Sequence, residues 1–379
     1  DCFMKISAFQ SGKFVQRNRY KSFEPVFVNT LWELDDSQLI MLLSEANIKL
    51  GELNAFSQLI PDVDFFIKMH VRKEATKSSR IEGTQTNIDE AIQKVENLQP
   101  EKKDDWQEVQ NYVQAMNEAI LNLQTLPIST RLLTNTHKIL LQAVRGEHKM
   151  PGEYRRSQNW IGGSSIADAV FIPPHADGVN DYMSDLEKFL NNENLPVPAL
   201  IKIAIAHYQF ETIHPFLDGN GRIGRLMITL FLVSNRLLEK PTLYLSDFFE
   251  AHKSLYYDNL TRVRTHQNML QWLKFFLEGI KATAENSIDT FKHIITLRDN
   301  IAQQLMQLGK RQPQAKELLN FLYTNPITDA AETAQKLQLH KSTAHRLISD
   351  FVRLGILEEK TGYKRNRIFA FEDYIKLFR

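Results

Sequence analysis

Residues 211–225 read ETIHPFLDGNGRIGR and gather a histidine, an aspartate, two glycines around an asparagine and two arginines three apart. Each has an ordinary reading alone: Gly219-Asn220-Gly221 as a turn, Asp218 as an Asx cap, His214 as a structural residue. Together they form a constellation suited to phosphate chemistry. Pro215 lacks a donor and disfavours helix at His214, so the helix arriving from Val197 should stop near Thr212. The apolar, periodic stretch RLMITLFLVSNRLL predicts a new helix from about Arg222. The interval is then a loop feeding a helix N-terminus. Its glycines reach positive φ at little cost, so successive N–H groups can line one concavity that attracts anions. Arg222 and Arg225 should face one side of the first turn, where the helix dipole repels them unless an anion compensates. Phosphate is the natural partner of such guanidinium forks. Asp218 adds a carboxylate suited to Mg2+ bridging phosphate oxygens, and His214 stands where an imidazole can take a proton from an attacking hydroxyl. The implied chemistry is phosphoryl or nucleotidyl transfer, and the lack of a Walker lysine motif excludes a P-loop.

The elements that must position these residues read as almost entirely helical. Residues 35–60 and 62–82 carry apolar residues three and four apart, DDWQEVQNYVQAMNEAILNL repeats the pattern, and ISTRLLTNTHKILLQAV restarts it behind Ser129. The stretch 146–178 differs. It is rich in Gly, Pro and Ser, with short β-favouring pieces NWIGG and AVFIP, and reads as a long functional loop holding a small hairpin. After residue 285 a long helix leads to a C-terminal unit with two helices and two β-like pieces around Thr361-Gly362, the outline of a winged helix.

The chain has 379 residues, 43% apolar and 24% charged, with a formal charge of +1, and fits two or three globular domains. A near-neutral balance leaves nucleic acid or acidic membranes to local patches. The single cysteine, Cys2, excludes an intramolecular disulfide, no apolar run approaches the roughly 20 residues that cross a bilayer, and the start lacks a signal-peptide profile. A cytoplasmic location is expected. In the C-terminal unit Lys341, Arg346, Arg353, Lys364, Arg365 and Arg367 offer basic groups for DNA, diluted by Asp350, Glu358 and Glu359. A dimer or protein-contact role is the alternative.

A second stretch, SSRIEG at 78–83, allows two readings. Ser79 and Glu82 have capping-box spacing, but a helix begun there would carry Gly83 in its first turn. Alternatively Gly83 is the C′ stop of a helix from about Asp64, which leaves Glu82 at the end that the dipole disfavours and in need of a cation.

HPFLDGNGRIGR fits H-P-F-x-[D/E]-G-N-G-R-x-x-R throughout and so resembles the Fic domain family. The resemblance covers roughly Leu126 to Gly279, and the preceding helices are similar to that family's N-terminal extension. It implies a mainly α fold: a Fic-type helical core with a small β-hairpin flap, an N-terminal helical extension (1–125), a core (126–279), and a linker helix with a winged helix (280–379). It further implies transfer of AMP from ATP to a Ser, Thr or Tyr hydroxyl of a target protein, with Mg2+ and release of pyrophosphate. In that scheme His214 is the general base, Phe216 anchors the loop and Asp218 holds Mg2+. Gly219, Asn220 and Gly221 cradle the phosphates, and Arg222 and Arg225 take the outer ones. Gly221 stands where kinase-type relatives carry a bulky residue, which favours AMP transfer. Asn159, Trp160, Ile161 and Gly162 match the target-docking flap, and Tyr257 with Tyr256 resembles a pair lying against adenine. SSRIEG resembles the family's S-x-x-x-E-G inhibitory motif, in which Glu82, supported by Ser78, would pair with Arg225. The resemblance also leaves room for self-modification, a homodimer, the reverse removal of AMP, and a nucleotide-sensing DNA-binding regulator.

Overall fold

The computed structural model describes residues 3–363 and 366–379, so Cys2, Lys364 and Arg365 lie outside the described residues. Fifteen α-helices dominate them. The first are α1 (Ser37–Leu59), α2 (Val63–Ile81), α3 (Ile88–Ala91), α4 (Lys103–Asn122), α5 (Thr130–Leu140), α6 (Val179–Asn191), α7 (Ala199–Ile213) and α8 (Asn220–Ser234). Then come α9 (Ser246–Ala251), α10 (Lys253–His266), α11 (Met269–Leu305), α12 (Gln312–Thr324), α13 (Ala330–Lys336), α14 (Lys341–Arg353) and α15 (Glu372–Ile375).

Helices α7 and α8 form the centre. Every residue of α7 from Leu200 to Ile213 is buried, as is α8 from Asn220 to Leu232, so both are enclosed on every side, buried polar residues included, rather than amphipathic. Around them pack α2, α4, α5, α6 and α11, the last laid along α1. The 37 residues of α11 make one continuous helix across position 279/280, where a domain boundary was expected.

The N-terminal segment departs from the helical expectation. Before α1 stand β1 (Met4–Lys5), β2 (Gly12–Gln16), β3 (Lys21–Pro25) and β4 (Trp32–Glu33). β1 pairs parallel with β4, and β2 pairs antiparallel with β3 in the register Gly12↔Pro25 to Gln16↔Lys21. Phe23 donates its N–H to the Ile172 carbonyl at 2.9 Å, which joins this hairpin to the long loop. In that loop Ile161 and Phe171 pair antiparallel, so the expected small hairpin is present.

The C-terminal unit has α12, α13 and α14 with β5 (Ile327–Thr328), β6 (Glu358–Glu359) and β7 (Phe369–Ala370) in the order β5-β7-β6, all antiparallel. This is a winged-helix arrangement. Its second helix starts at Lys341, capped by the His340 ring on the Ser342 N–H. Of the expected basic groups, Lys341, Arg346 and Arg353 are exposed on α14, although Arg353 contacts Asp350 at 3.2 Å. Among the described residues no helix is long and apolar enough to cross a membrane.

Candidate active site

The loop between α7 and α8 is shaped by two left-handed residues. His214, the C-cap of α7, has φ 50 and ψ 60, and Gly219, the N-cap of α8, has φ 77. A non-glycine residue at positive φ persists only when its surroundings over-determine it, and they do so here. Arg155 is 2% exposed and spends its guanidinium on backbone: Nε donates to the His214 carbonyl at 2.9 Å and Nη2 to the carbonyls of Pro174 (2.6 Å) and Ile213 (3.2 Å). The Asn159 amide adds bonds to the carbonyls of His214 (3.1 Å) and Phe216 (2.9 Å). Asn220 closes the loop, accepting from the Phe216 N–H and donating to its carbonyl, both at 2.8 Å.

Phe216 is fully buried and stacks on the His137 ring, with centroids 3.8 Å apart and planes within 8°. His137 Nδ1 accepts from the Gly152 N–H at 2.9 Å, which leaves Nε2–H to donate to the Asp218 carbonyl at 2.9 Å. Burial pushes its pKa down to about 4, so the ring is neutral at pH 7 and keeps this tautomer.

The glycines do not act as the sequence suggested. Gly219 alone of the three takes positive φ, while Asn220 and Gly221 already belong to α8. Gly221 supplies space instead. A Cβ there would run into the Glu82 carboxylate and come within 2.9 Å of Arg225 Nη1.

The two arginines diverge. Arg222 Nη1 meets Glu108 of α4 at 3.2 Å and Nη2 lies 3.4 Å from Asp218 Oδ1. Arg225, with a side chain 1% exposed, turns to the end of α2: Nε donates to Ser78 Oγ and Nη2 to the Ser78 carbonyl, both at 2.9 Å, and Nη2 pairs with Glu82 Oε1 at 2.6 Å. Gly83, at φ 108, ends α2 with Glu82 as C-cap, so the C′-stop reading of SSRIEG holds and the capping box does not. Partial burial raises the Glu82 pKa, but the Arg225 charge outweighs it and holds the carboxyl below its usual range. Burial likewise opposes the Arg225 charge, and Glu82 more than offsets it, so the guanidinium pKa is raised.

His214 has a buried Nδ1 with no hydrogen-bond partner. Burial, opposed by the charge of Glu82, pushes its pKa down to about 4. Three neighbours had no signal in a contiguous motif. Glu211, buried one turn before His214, keeps an unpartnered Oε1, and burial pushes its pKa up to about 7. Arg264 is 6% exposed, donates to Thr212 Oγ1 at 3.1 Å and lies 3.9 Å over the Phe171 ring. Glu108, from α4, is the third.

Of the remaining expected residues, Trp160 is 41% exposed, Ile161 half-buried and Gly162 exposed at positive φ, whereas Asn159 faces inward. Tyr257 is 39% exposed, near enough to Glu82 to have its pKa raised by burial and that charge, while Tyr256 is buried with its hydroxyl 2.8 Å from His207 Nε2. Asp218 Oδ1 accepts from the Gly219 N–H at 2.6 Å, and the side chain remains 44% exposed. Among the described residues no three His, Cys, Asp or Glu side chains cluster as a metal site. One outward carboxylate beside an anion cradle still fits Mg2+, which is commonly held by one or two carboxylates with phosphate oxygens completing its shell.

Comparison with known proteins gives the same region a family. Residues 40–121 match the model of the Fic/DOC family N-terminal region, residues 127–232 that of the Fic/DOC family, and residues 317–361 that of the IclR helix-turn-helix domain. The chain is 30% identical over 135 residues to a protein adenylyltransferase Fic of Aedes aegypti, covering 35% of this chain and 24% of that protein. It is 39% identical over 89 residues to a probable protein adenylyltransferase of Aquifex aeolicus (strain VF5), covering 24% and 26%. The match thus spans about a quarter of each curated relative. A Fic family protein from Desulfovibrio desulfuricans G20 shares the fold, with a TM-score of 0.56 and 21% identity over 89% of this chain and 97% of that one. This chain thus carries a Fic/DOC family N-terminal region at 40–121 and a Fic/DOC family domain at 127–232.

Proposed function

We propose that this chain is a protein adenylyltransferase held silent by Glu82. The observation that carries the reading is the Glu82 carboxylate lodged over Gly221 against Arg225, at the N-terminal turn of α8. It occupies the anion position of the cradle, and its oxygens stand in for a phosphate. A nucleotide that needs Arg225 for its terminal phosphate must displace it. Two relatives named as adenylyltransferases support the identity of the transferred group.

In the reaction a target hydroxyl oxygen attacks the α-phosphorus of ATP. The neutral imidazole of His214 takes its proton, the bond from the α-phosphorus to the bridging oxygen breaks, and pyrophosphate leaves. Bound Mg2+, on Asp218 and phosphate oxygens, would neutralise charge on the leaving group. Arg155 and Asn159 hold His214 in its left-handed conformation, Arg222 steadied by Glu108 faces the phosphates, and the exposed Trp160–Gly162 edge takes the target backbone by strand addition. Tyr257 flanks the nucleotide.

The brake is a single prong, Glu82 Oε1 on Nη2, while Ser78 takes the Nε donor and a second Nη2 donor of Arg225. With Glu82 35% exposed, the contact is worth about 1–2 kcal/mol, a five- to thirtyfold bias toward the silent state. A second reading has one observation in its favour: the Glu82 charge acts on His214, so the pair could orient a water that removes AMP from a modified protein.

One comparison separates these readings. Purified chain, Glu82→Gly and Glu82→Gly/His214→Ala are incubated with Mg-ATP and weighed intact. The expected outcome is AMP addition in the single variant, lost by about 10^2–10^4 in rate in the double. If Glu82→Gly adds no AMP and instead loses the power to remove AMP from a modified protein, the reading reverses.

A further inference from the structure

The winged helix lies against the segment that carries the brake and grips it on both sides of Glu82. Upstream, on α2, Arg72 Nη1 donates to the Thr324 carbonyl at 2.6 Å and Nη2 to Asn325 Oδ1 at 2.8 Å. Phe66 of the same helix meets Tyr323 at 4.9 Å between ring centroids, and His70 meets Phe378 at 5.1 Å. Ser78 and Glu82 follow on the last turn of this helix. Downstream, Arg379 Nε reaches Asp89 at 3.1 Å, and Lys94 Nζ pairs with Asp329 at 2.8 Å and Glu332 at 3.1 Å. The other side of this downstream stretch is tied to α4, where Trp106 and Gln110 donate to the carbonyls of Gln93 and Ala91.

The two grips differ in kind. Upstream the aromatic rings are buried, an arrangement that resists separation. Downstream the ties are exposed ion pairs, individually weak, screened by salt and easily exchanged for another partner. A segment that meets the winged helix through buried rings at one end and surface ion pairs at the other has the makings of a lever, and Glu82 stands between the two.

We propose that the C-terminal winged helix sets the strength of the Glu82 brake, and that opening its ion pairs to Asp89 and Lys94 loosens residues 79–97 and lets Glu82 leave Arg225. The inference rests on the adenylyltransferase reading for its consequence but not for the coupling itself. A partner that engages the α13 end of the winged helix would take Asp329 and Glu332 from Lys94 and so relieve inhibition without touching the catalytic loop.

The test uses the full chain and two readouts. Asp89→Asn/Lys94→Met removes both ties on the surface, outside the site, and Lys292→Met breaks an exposed pair of the same kind on α11 as a control. Hydrogen–deuterium exchange over residues 79–97 is expected to rise about three- to tenfold in the double variant and to stay unchanged in the control. Self-modification with Mg-ATP is expected to rise by a similar factor, staying below that of Glu82→Gly. Exchange in the double variant no faster than in the parent would overturn the proposal whatever the activity. Faster exchange with Glu82→Gly inert toward Mg-ATP would uphold the coupling and sink the transferase reading instead. Faster exchange with an active Glu82→Gly and a double variant as silent as the parent would also overturn it, because the brake would then ignore the clamp.

Discussion

The loop from His214 to Arg225 and the segment that carries Glu82 meet at Arg225 but are built on different principles. The loop from His214 to Arg225 is held from inside: Phe216 is fully buried against His137, Asn220 ties back to Phe216, and Arg155 spends a buried charge on four backbone carbonyls. The Glu82 segment reaches the same point from outside, with one partly exposed carboxylate on one guanidinium nitrogen and a chain that continues into surface ion pairs. The difference separates what must never move from what must be able to leave. A pre-organised cradle works only if its geometry is rigid, and a brake works only if the free energy holding it is small enough for a ligand or partner to supply.

Acid should break the rigid half first. Burial holds His137 and His214 near a pKa of about 4, and His70 and His207 near about 3, all below the ordinary histidine value. Such groups stay neutral in the fold, while the unfolded chain takes up protons as pH drops through about 6.5. Stability is therefore fully present above about pH 6.5 and is lost as pH falls toward 4. Glu211, raised to about 7, and Glu74 and Asp185, also raised by burial, have the opposite sign and gain stability as pH falls, three carboxyls against four histidines. The expected net loss between pH 7 and 5 is on the order of several kcal/mol. A thermal midpoint that is flat or rising over that range would mean these rings are not buried neutral.

Removing the anchor tests the same half by packing. Phe216→Ala should cost about 3–5 kcal/mol, because the ring fills a closed site between His137 and Tyr154. Urea denaturation reads the loss. A cost below 1 kcal/mol would show that the loop does not depend on its buried ring.

How much of this was legible follows from where the partners sit in the chain. The loop itself was readable because helix stop, turn and helix start are written locally, with Pro215 after the last turn of α7, Gly219 at positive φ and Asn220 bonding back to Phe216, whereas the partners of Phe216, Arg222 and Arg225 lie far along the chain. The end of α2 was readable for the same reason, since Gly83 decides between the two readings of SSRIEG. Arg155, Glu108, Arg264 and Glu211 were not, because each acquires its role from a contact far along the chain or from burial, and nothing in YRRSQNW or RVRTHQ marks which arginine turns inward. The N-terminal hairpin was missed although its signal exists: KFVQ and KSFEP flank a short polar turn, and strand pairing needed only that alternation. Of the two reasons for singling out Gly221, backbone freedom does not apply, since it sits in α8 without positive φ, whereas the room it leaves is present and is filled by Glu82.

That room gives the sharpest test of the comparison. In a helix interior Gly→Ala ordinarily stabilises by about 0.5–1 kcal/mol, since alanine has less backbone entropy to lose. At Gly221 the new methyl meets the Glu82 carboxylate, the far end of a flexible side chain that can swing out, which leaves buried Arg225 without its counter-charge. Losing a contact worth about 1–2 kcal/mol should outweigh the helix gain, so Gly221→Ala should lower the melting temperature of the parent chain. In Glu82→Gly the carboxylate is gone and only Arg225 Nη1, 2.9 Å from the new methyl, has to shift, so the same substitution should cost less than in the parent. The two single changes and the double then show a coupling of about 1–2 kcal/mol, the methyl being better tolerated once Glu82 is absent. Additive behaviour would mean that Glu82 does not fill the cradle in solution, and the rigid loop and its removable occupant would have to be separated at some other contact.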